Sequence, residues 1–205
     1  MRRPSAGPSG GPATGDGVTV SVRDAAATRQ RILDAATVEF SALGLAGGRV
    51  ARIAERARAN QRMIYAYFGS KDGLFDAVLE HHILLAQDAV DFDAADLPGY
   101  AQQVFDVYRA NPRFLRLTLW QTLERPELLR SVDPVVRTMT DKIGAIARAQ
   151  AAGLVSDALP ADRLLDHILA LAQGSLTDIG QPGTWTEAQR RDLATSVARL
   201  TAPRR

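Results

Sequence analysis

An all-α fold is expected for this 205-residue chain on three observations. From Thr28 onward the apolar residues recur at helical spacing. No segment shows the strict apolar–polar alternation of a half-buried strand. Asn111-Pro112, Arg125-Pro126 and Asp133-Pro134 supply breaks in which each proline can take the first helical position, where its missing N–H costs nothing.

Residues 1–22 are rich in Gly, Pro, Ser and Thr with almost nothing to bury, and are expected to form a disordered arm. Arg2, Arg3 and Arg23 give it some affinity for phosphate, but a solvated tail is the simpler reading. The first helix starts near Thr28, carries Ile32, Ala36, Phe40 and Leu43 on one face, and stops at Gly44 as a left-handed cap. A second helix, Arg49 to Arg58, buries Val50, Ile53, Ala54 and Ala57. Asn60 N-caps a short third helix with Ile64 and Phe68 inward. The tight link between the second and third helices makes a helix-turn-helix head. Ser70 then caps a long fourth helix with the apolar stripe Leu74, Phe75, Val78, Leu79, His82, Ile83 and Ala86, and Asp72 sits near its positive end.

After a turn at Asp91 to Pro98, a helix carries Val104, Phe105 and Tyr108, and a long one runs from about Pro134 to before Gly153. Between Ala161 and Thr177 there are two apolar faces, Leu164, Ile168 and Leu171 on one and Leu165, Leu169, Ala172 and Leu176 on the other. A helix buried on two sides needs a second partner. Thr184 with Glu187, or Thr186 with Gln189, is a capping box opening a last helix that carries Leu193, Val197 and Leu200. Small residues at Ala170, Ala172, Gly174, Ala194 and Ala198 allow close approach. These two helices are therefore expected to form a homodimer interface through Leu165, Ile168, Leu169, Ala172, Leu176, Leu193, Val197 and Leu200.

There is no cysteine, which excludes disulfides, thiolate metal sites and cysteine nucleophiles. No apolar run approaches the roughly 20 residues needed to span a bilayer, and the N-terminus lacks the apolar core of a signal peptide, so a cytoplasmic protein without membrane association is expected. Residues 23–72 carry nine Arg/Lys against five Asp/Glu, whereas 73–205 carry 14 against 17. A basic head on a mildly acidic body is the layout of a polyanion-binding domain attached to something else, and it places the boundaries at 1–22, 23–72 and 73–205. Arginine makes up 23 of the 25 basic residues, which weakens the count as a signal; Lys71, one of only two lysines, escapes that discount.

Residues 59–75 carry the chemistry. Tyr65 and Tyr67 offer hydroxyls, Lys71 a point charge, and the helix start at Ser70 free amides, all suited to phosphate. Gln61 can pair an adenine edge and Arg62 a guanine edge, while Tyr65 suits a phosphate or a thymine methyl. Tyr67 has a competing role as a partly buried core residue.

The run Ile53-Ala54, Asn60, then Ile64-Tyr65-Ala66-Tyr67-Phe68-Gly69-Ser70-Lys71-Asp72-Gly73-Leu74 resembles the DNA-binding domain of TetR-family transcriptional regulators. The resemblance covers Thr28 to Phe75, about a quarter of the chain. It implies a ligand-binding and dimerisation body behind the helix-turn-helix, and a homodimer whose third helices enter successive major grooves of a palindromic double-stranded DNA operator. Asn60, Gln61, Arg62, Met63 and Tyr65 would then lie at bases or nearby backbone, and Arg49, Tyr67 and Lys71 at phosphates. Three positions depart from the family pattern: Gly48-Arg49 replaces a Thr-Thr pair, Arg58 stands at a turn glycine, and Arg62 replaces a small residue. A non-glycine residue in a left-handed turn costs about 1 kcal/mol.

No catalytic function or cofactor is expected. His81 and His82 are adjacent and point about 100° apart on a helix, unsuited to a shared metal. His167 reads as an interface residue. Asp91, Asp93 and Asp96 lack the glycine and glutamate of a calcium loop and read as a solvated turn. For the body, the resemblance implies a pocket for a small apolar inducer. Tyr100, Phe105, Tyr108, Phe114, Leu119, Trp120 and Met139 are its candidate lining, although the same side chains would serve as core. The expected function is a ligand-responsive regulator, most simply a repressor. The alternatives are a helical adaptor with a basic head, or an activator without an inducer.

Overall fold

A computed structural model of the chain describes residues 16–125, 133–174 and 186–203. Among these residues there are nine helices and no strand: α1 (Asp16–Gly47), α2 (Val50–Ala57), α3 (Gln61–Phe68), α4 (Lys71–Asp88), α5 (Leu97–Ala110), α6 (Pro112–Glu124), α7 (Asp133–Ala151), α8 (Ala161–Gly174) and α9 (Glu187–Thr201). The all-α class is as expected. α1 is longer than expected, opening at Asp16 instead of near Thr28, so residues 16–22 of the anticipated arm are helical. Residues 1–15 lie outside the described residues.

The caps read from the sequence are in place. The Asn60 side chain accepts from Met63 N at 2.9 Å and Ser70 Oγ from Gly73 N at 2.9 Å. Thr186 and Gln189, the second of the two pairs considered, form the reciprocal capping box of α9. Asp96 caps α5 by accepting from Gly99 N, which gives that member of the aspartate cluster a structural task.

Gly44 kinks α1 without ending it. Its φ of 71° and ψ of −177° belong to a region open essentially to glycine, and one further turn follows to Gly47. This junction is held from outside by α6. Arg116 Nε donates to Ser41 O at 2.7 Å on one side, and Glu124 Oε2 accepts from Leu45 N at 2.7 Å and Ala46 N at 3.2 Å on the other. The kink leaves backbone carbonyls and amides unpaired, and these two side chains satisfy them.

Arg58 does adopt the left-handed conformation, φ 51° and ψ 44°, the only such non-glycine among the described residues. Ala59 N donates to Ala54 O at 3.0 Å and Arg58 N to Glu55 O at 3.1 Å, the bond pair that closes a helix with a left-handed C′ residue. The turn geometry is thus kept and the strain is borne. Arg58→Gly is expected to stabilise the protein by about 0.5–1 kcal/mol; a melting temperature at or below that of the parent would show that Arg58 is unstrained.

Two apolar cores result. The first joins Ile32, Leu33, Phe40, Ile53, Ile64, Leu74 and Phe75 and continues along α4 to Phe114, Leu117 and Val135; Phe40 meets Phe75 edge-on at 5.3 Å. The second gathers Leu97, Phe105, Ile146, Leu164, Leu193 and neighbours from α5, α7, α8 and α9. Most of the residues expected at the dimer face belong to this second core. Leu165, Ile168, Ala172, Leu193 and Val197 are at most 3% exposed within the single chain, Leu169 and Leu200 pack against the same core, and Leu176 lies outside the described residues. The second apolar face of α8 is buried by its own chain, against α5, α7 and α9. Leu164 and Ile168 are core as well, whereas His167, Ala170 and Leu171 are exposed.

Candidate nucleic-acid interface and ligand cavity

The head presents α3 as an exposed ridge. Ile64 is fully buried and Phe68 half-buried, with Arg29 5.2 Å above the Phe68 ring, and these anchor the inner face. At helical spacing the opposite face must then point outward. Gln61, Arg62, Tyr65 and Tyr67 are exposed and Met63 is half-buried. Tyr67 is 36% exposed and its ring meets Phe68 at 6.2 Å, so it is partly covered while still reachable from solvent. Asn60 is exposed, but its side-chain oxygen is engaged as the cap of α3. Lys71, at the first position of α4, donates to Ala46 O at 3.2 Å, just beyond the Gly44 kink.

The position of α2 depends on a residue the sequence did not single out. Arg49 is the N-cap of α2, and its own side chain makes no capping bond. Glu39 of α1 supplies the acceptor instead: its Oε1 takes Arg49 N at 2.9 Å and Arg52 Nε at 2.8 Å, with Arg52 Nη2 at 2.6 Å. Glu39 is only 6% exposed. A carboxylate at a helix N-terminus is favoured by both the free amides and the dipole. Gly48 has a packing reason too, since a Cβ there would fall 2.6 Å from the Phe40 ring. A hydroxyl residue at this place has no room. The Arg49 side chain is left exposed. At the other end of α2, Arg31 Nε donates to Ala57 O at 3.3 Å.

A half-open cavity of about 540 Å³ lies in the body between α4, α5, α6, α7 and α8. Of the expected lining, Tyr100, Tyr108, Phe114 and Met139 take part; Phe105 lies in the second core, Leu119 packs on it, and Trp120 sits against Gly44. Tyr108 and Phe114 stack at 5.2 Å, and His82 stacks on the Phe114 ring at 5.9 Å while meeting Thr37 Oγ1 of α1 at 3.1 Å. Desolvation holds the His82 imidazole below its ordinary pKa, so this link between head and body is made by a neutral ring. The polar lining groups Lys142, Gln87, Thr118, Thr140 and Asp166 were not among the residues the sequence pointed to. Among the described residues no helix is long and apolar enough to cross a membrane.

Residues 32–78 match the family model described as bacterial regulatory proteins, tetR family, and residues 96–202 match the tetracyclin repressor-like C-terminal domain. The chain is 38% identical over 158 residues to the HTH-type transcriptional repressor SCO4008 of Streptomyces coelicolor, covering 75% of this chain and 80% of that one. To the HTH-type transcriptional repressor NicS of Pseudomonas putida it is 34% identical over 149 residues, 67% of this chain and 70% of that one. The crystal structure of SCO4942 from Streptomyces coelicolor superposes with a TM-score of 0.70 at 34% identity, covering 86% of this chain and 99% of that one. The fold is shared at 17% identity and a TM-score of 0.63 by FadR from Bacillus subtilis, solved with stearoyl-CoA, over 83% of this chain and 96% of that one.

Proposed function

The chain belongs to the TetR family of transcriptional regulators, DNA-binding proteins and not enzymes, and from that premise we propose that it represses transcription as a homodimer on a palindromic operator and is released by a small apolar ligand. The supporting observation is the exposed row Gln61, Arg62 and Tyr65 on α3, flanked by Tyr67 and Lys71 and set on a head whose inner face is fully packed. Gln61 and Arg62 read base edges, and Arg49, Tyr67 and Lys71 hold phosphates. Lys71 exchanges the Ala46 carbonyl for a phosphate oxygen on binding. The dimer forms through the outward faces of α8 and α9, where Ala170 and Ala198 are exposed small residues, in place of the buried leucines. Repression follows from occlusion of the promoter, in keeping with the repressor names of the two similar proteins.

The cavity supports the ligand response because its walls are also the head's supports. α4 and α6 line it through Ile83, Gln87, Phe114 and Thr118, and the same two helices hold α1 through His82, Arg116 and Glu124. A ligand that prefers one arrangement of α4 and α6 shifts the spacing of the heads; one with equal affinity for both arrangements shifts nothing. FadR from Bacillus subtilis, which shares this fold, was solved in complex with stearoyl-CoA.

The test is a salt titration of operator affinity on wild type, Lys71→Ala and Gln61→Ala. Lys71→Ala is expected to weaken all sequences alike and to lower the slope of log affinity against log salt by about 1, while Gln61→Ala alters preference among operator variants. A shallow response in the wild type, indifferent to sequence, would overturn the operator reading and favour a protein-binding adaptor.

A further inference from the structure

Among the described residues, Lys142 lies in the cavity wall without a counter-ion. The residue is 9% exposed, its Nζ donates to the Tyr100 hydroxyl at 3.1 Å, and it stands 4.8 Å from the Tyr100 ring centre and 5.4 Å from that of Phe92. An ammonium has three N–H donors, and here one hydroxyl oxygen serves them. That hydroxyl is neutral, because burial pushes the Tyr100 phenol well above its usual pKa. Asp166 also lines the cavity, on α8, but its side chain is exposed and forms no ion pair with Lys142. Desolvation accordingly pulls the lysine below its ordinary pKa.

A second unused donor lies nearby. Gln87 of α4 lines the same cavity; its Oε1 accepts from Thr138 Oγ1 at 3.3 Å, and its Nε2 is buried without an acceptor among the described residues. Thr138 precedes Lys142 by four residues on α7, which is one turn, so Gln87 and Lys142 address one stretch of wall. A buried donor without an acceptor costs about 1–3 kcal/mol, and more when charged. The remaining lining is mainly apolar, with Ile83, Val104, Val107 and Ile143 among it.

We propose that the cavity binds an anionic amphiphile of the carboxylate class, its oxygens on Lys142 Nζ and Gln87 Nε2 and its apolar body against the Tyr108–Phe114 end. This rests on the reading of the cavity as the ligand site. Lys142 Nζ, with N–H groups to spare beyond the Tyr100 hydroxyl, and Gln87 Nε2 only donate, so a partner that completes both must accept, and a negative charge on it also neutralises the ammonium. A cationic head leaves both donors unmet and meets like charge. A neutral alcohol satisfies one of them.

The experiment is calorimetric titration of the full chain with decanoate, 1-decanol and decylamine, on wild type, Lys142→Met and Gln87→Leu. Wild type is expected to bind decanoate at least about tenfold more tightly than the alcohol or the amine. Lys142→Met removes that preference while keeping the affinity for 1-decanol, and Gln87→Leu reduces it several-fold. If 1-decanol or decylamine binds as well as decanoate, or the preference survives Lys142→Met, the anionic head is wrong while the cavity remains a ligand site. If none of the three binds the wild type, the ligand reading falls and this inference with it. Should Lys142→Met fail to fold, the three-ligand comparison on wild type and Gln87→Leu still decides.

Discussion

Gly44→Ala is expected to destabilise the protein by about 3 kcal/mol and to abolish operator binding, although the residue is remote from α3. Two independent costs combine. The backbone at φ 71° and ψ −177° is strained by about 1–3 kcal/mol for any residue bearing a Cβ. The added carbon would also stand 2.5 Å from Glu124 Oε1 and 2.8 Å from the Trp120 ring, so α6 must retreat or the bonds from Glu124 to Leu45 and Ala46 must break. Either response displaces Ala46, whose carbonyl holds Lys71. Thermal unfolding and an operator-binding isotherm check this together; a variant that melts and binds like the parent would show that the kink is not built as described.

Glu39→Ala should cost about 3 kcal/mol and loosen α2 without removing any residue from the exposed ridge. It leaves Arg49 N unpaired and Arg52 without its partner, at a site where the carboxylate is almost fully buried. Arg52→Ala separates the two roles. Arg52 is 45% exposed, so its ion pair alone is expected to be worth less than 1 kcal/mol. Glu39→Gln retains an acceptor for the amide and should recover much of the loss. Chemical denaturation of the three variants is the measurement, and equal losses for Arg52→Ala and Glu39→Ala would rule out the capping role.

The pattern of these contacts explains what the sequence could disclose. Asn60, Ser70 and Thr186 cap helices through bonds that span three residues, and such local geometry is legible in a linear reading. The turn at Arg58 was visible as a misplaced residue, though its conformation needed the structure. Glu39, Arg116 and Glu124 act across 10, 75 and 79 residues, and nothing near them in the chain announces a partner. The residues expected at the dimer face were ambiguous for a related reason. Two apolar faces on α8 show that it is enclosed, but not whether by its own chain or by another. Likewise an aromatic count cannot separate a cavity wall from core: Tyr108 and Phe114 face the void, while Phe105 sits a few residues away in solid packing. The spare donors of Lys142 and Gln87 were invisible because a missing acceptor is a property of the surroundings.

The first core also sets the unit in which such regulators can be recombined. Its apolar contacts run from Ile32 through Phe75 to Phe114, Leu117 and Val135, so they cross the boundary at residue 72 that charge and motif suggest. A graft cut at that boundary would carry Phe40 without Phe75, its edge-on neighbour, and would expose the interior of the head. An exchange of DNA specificity between relatives should therefore transplant the face of α3 alone, or else move α1 through α7 as one piece.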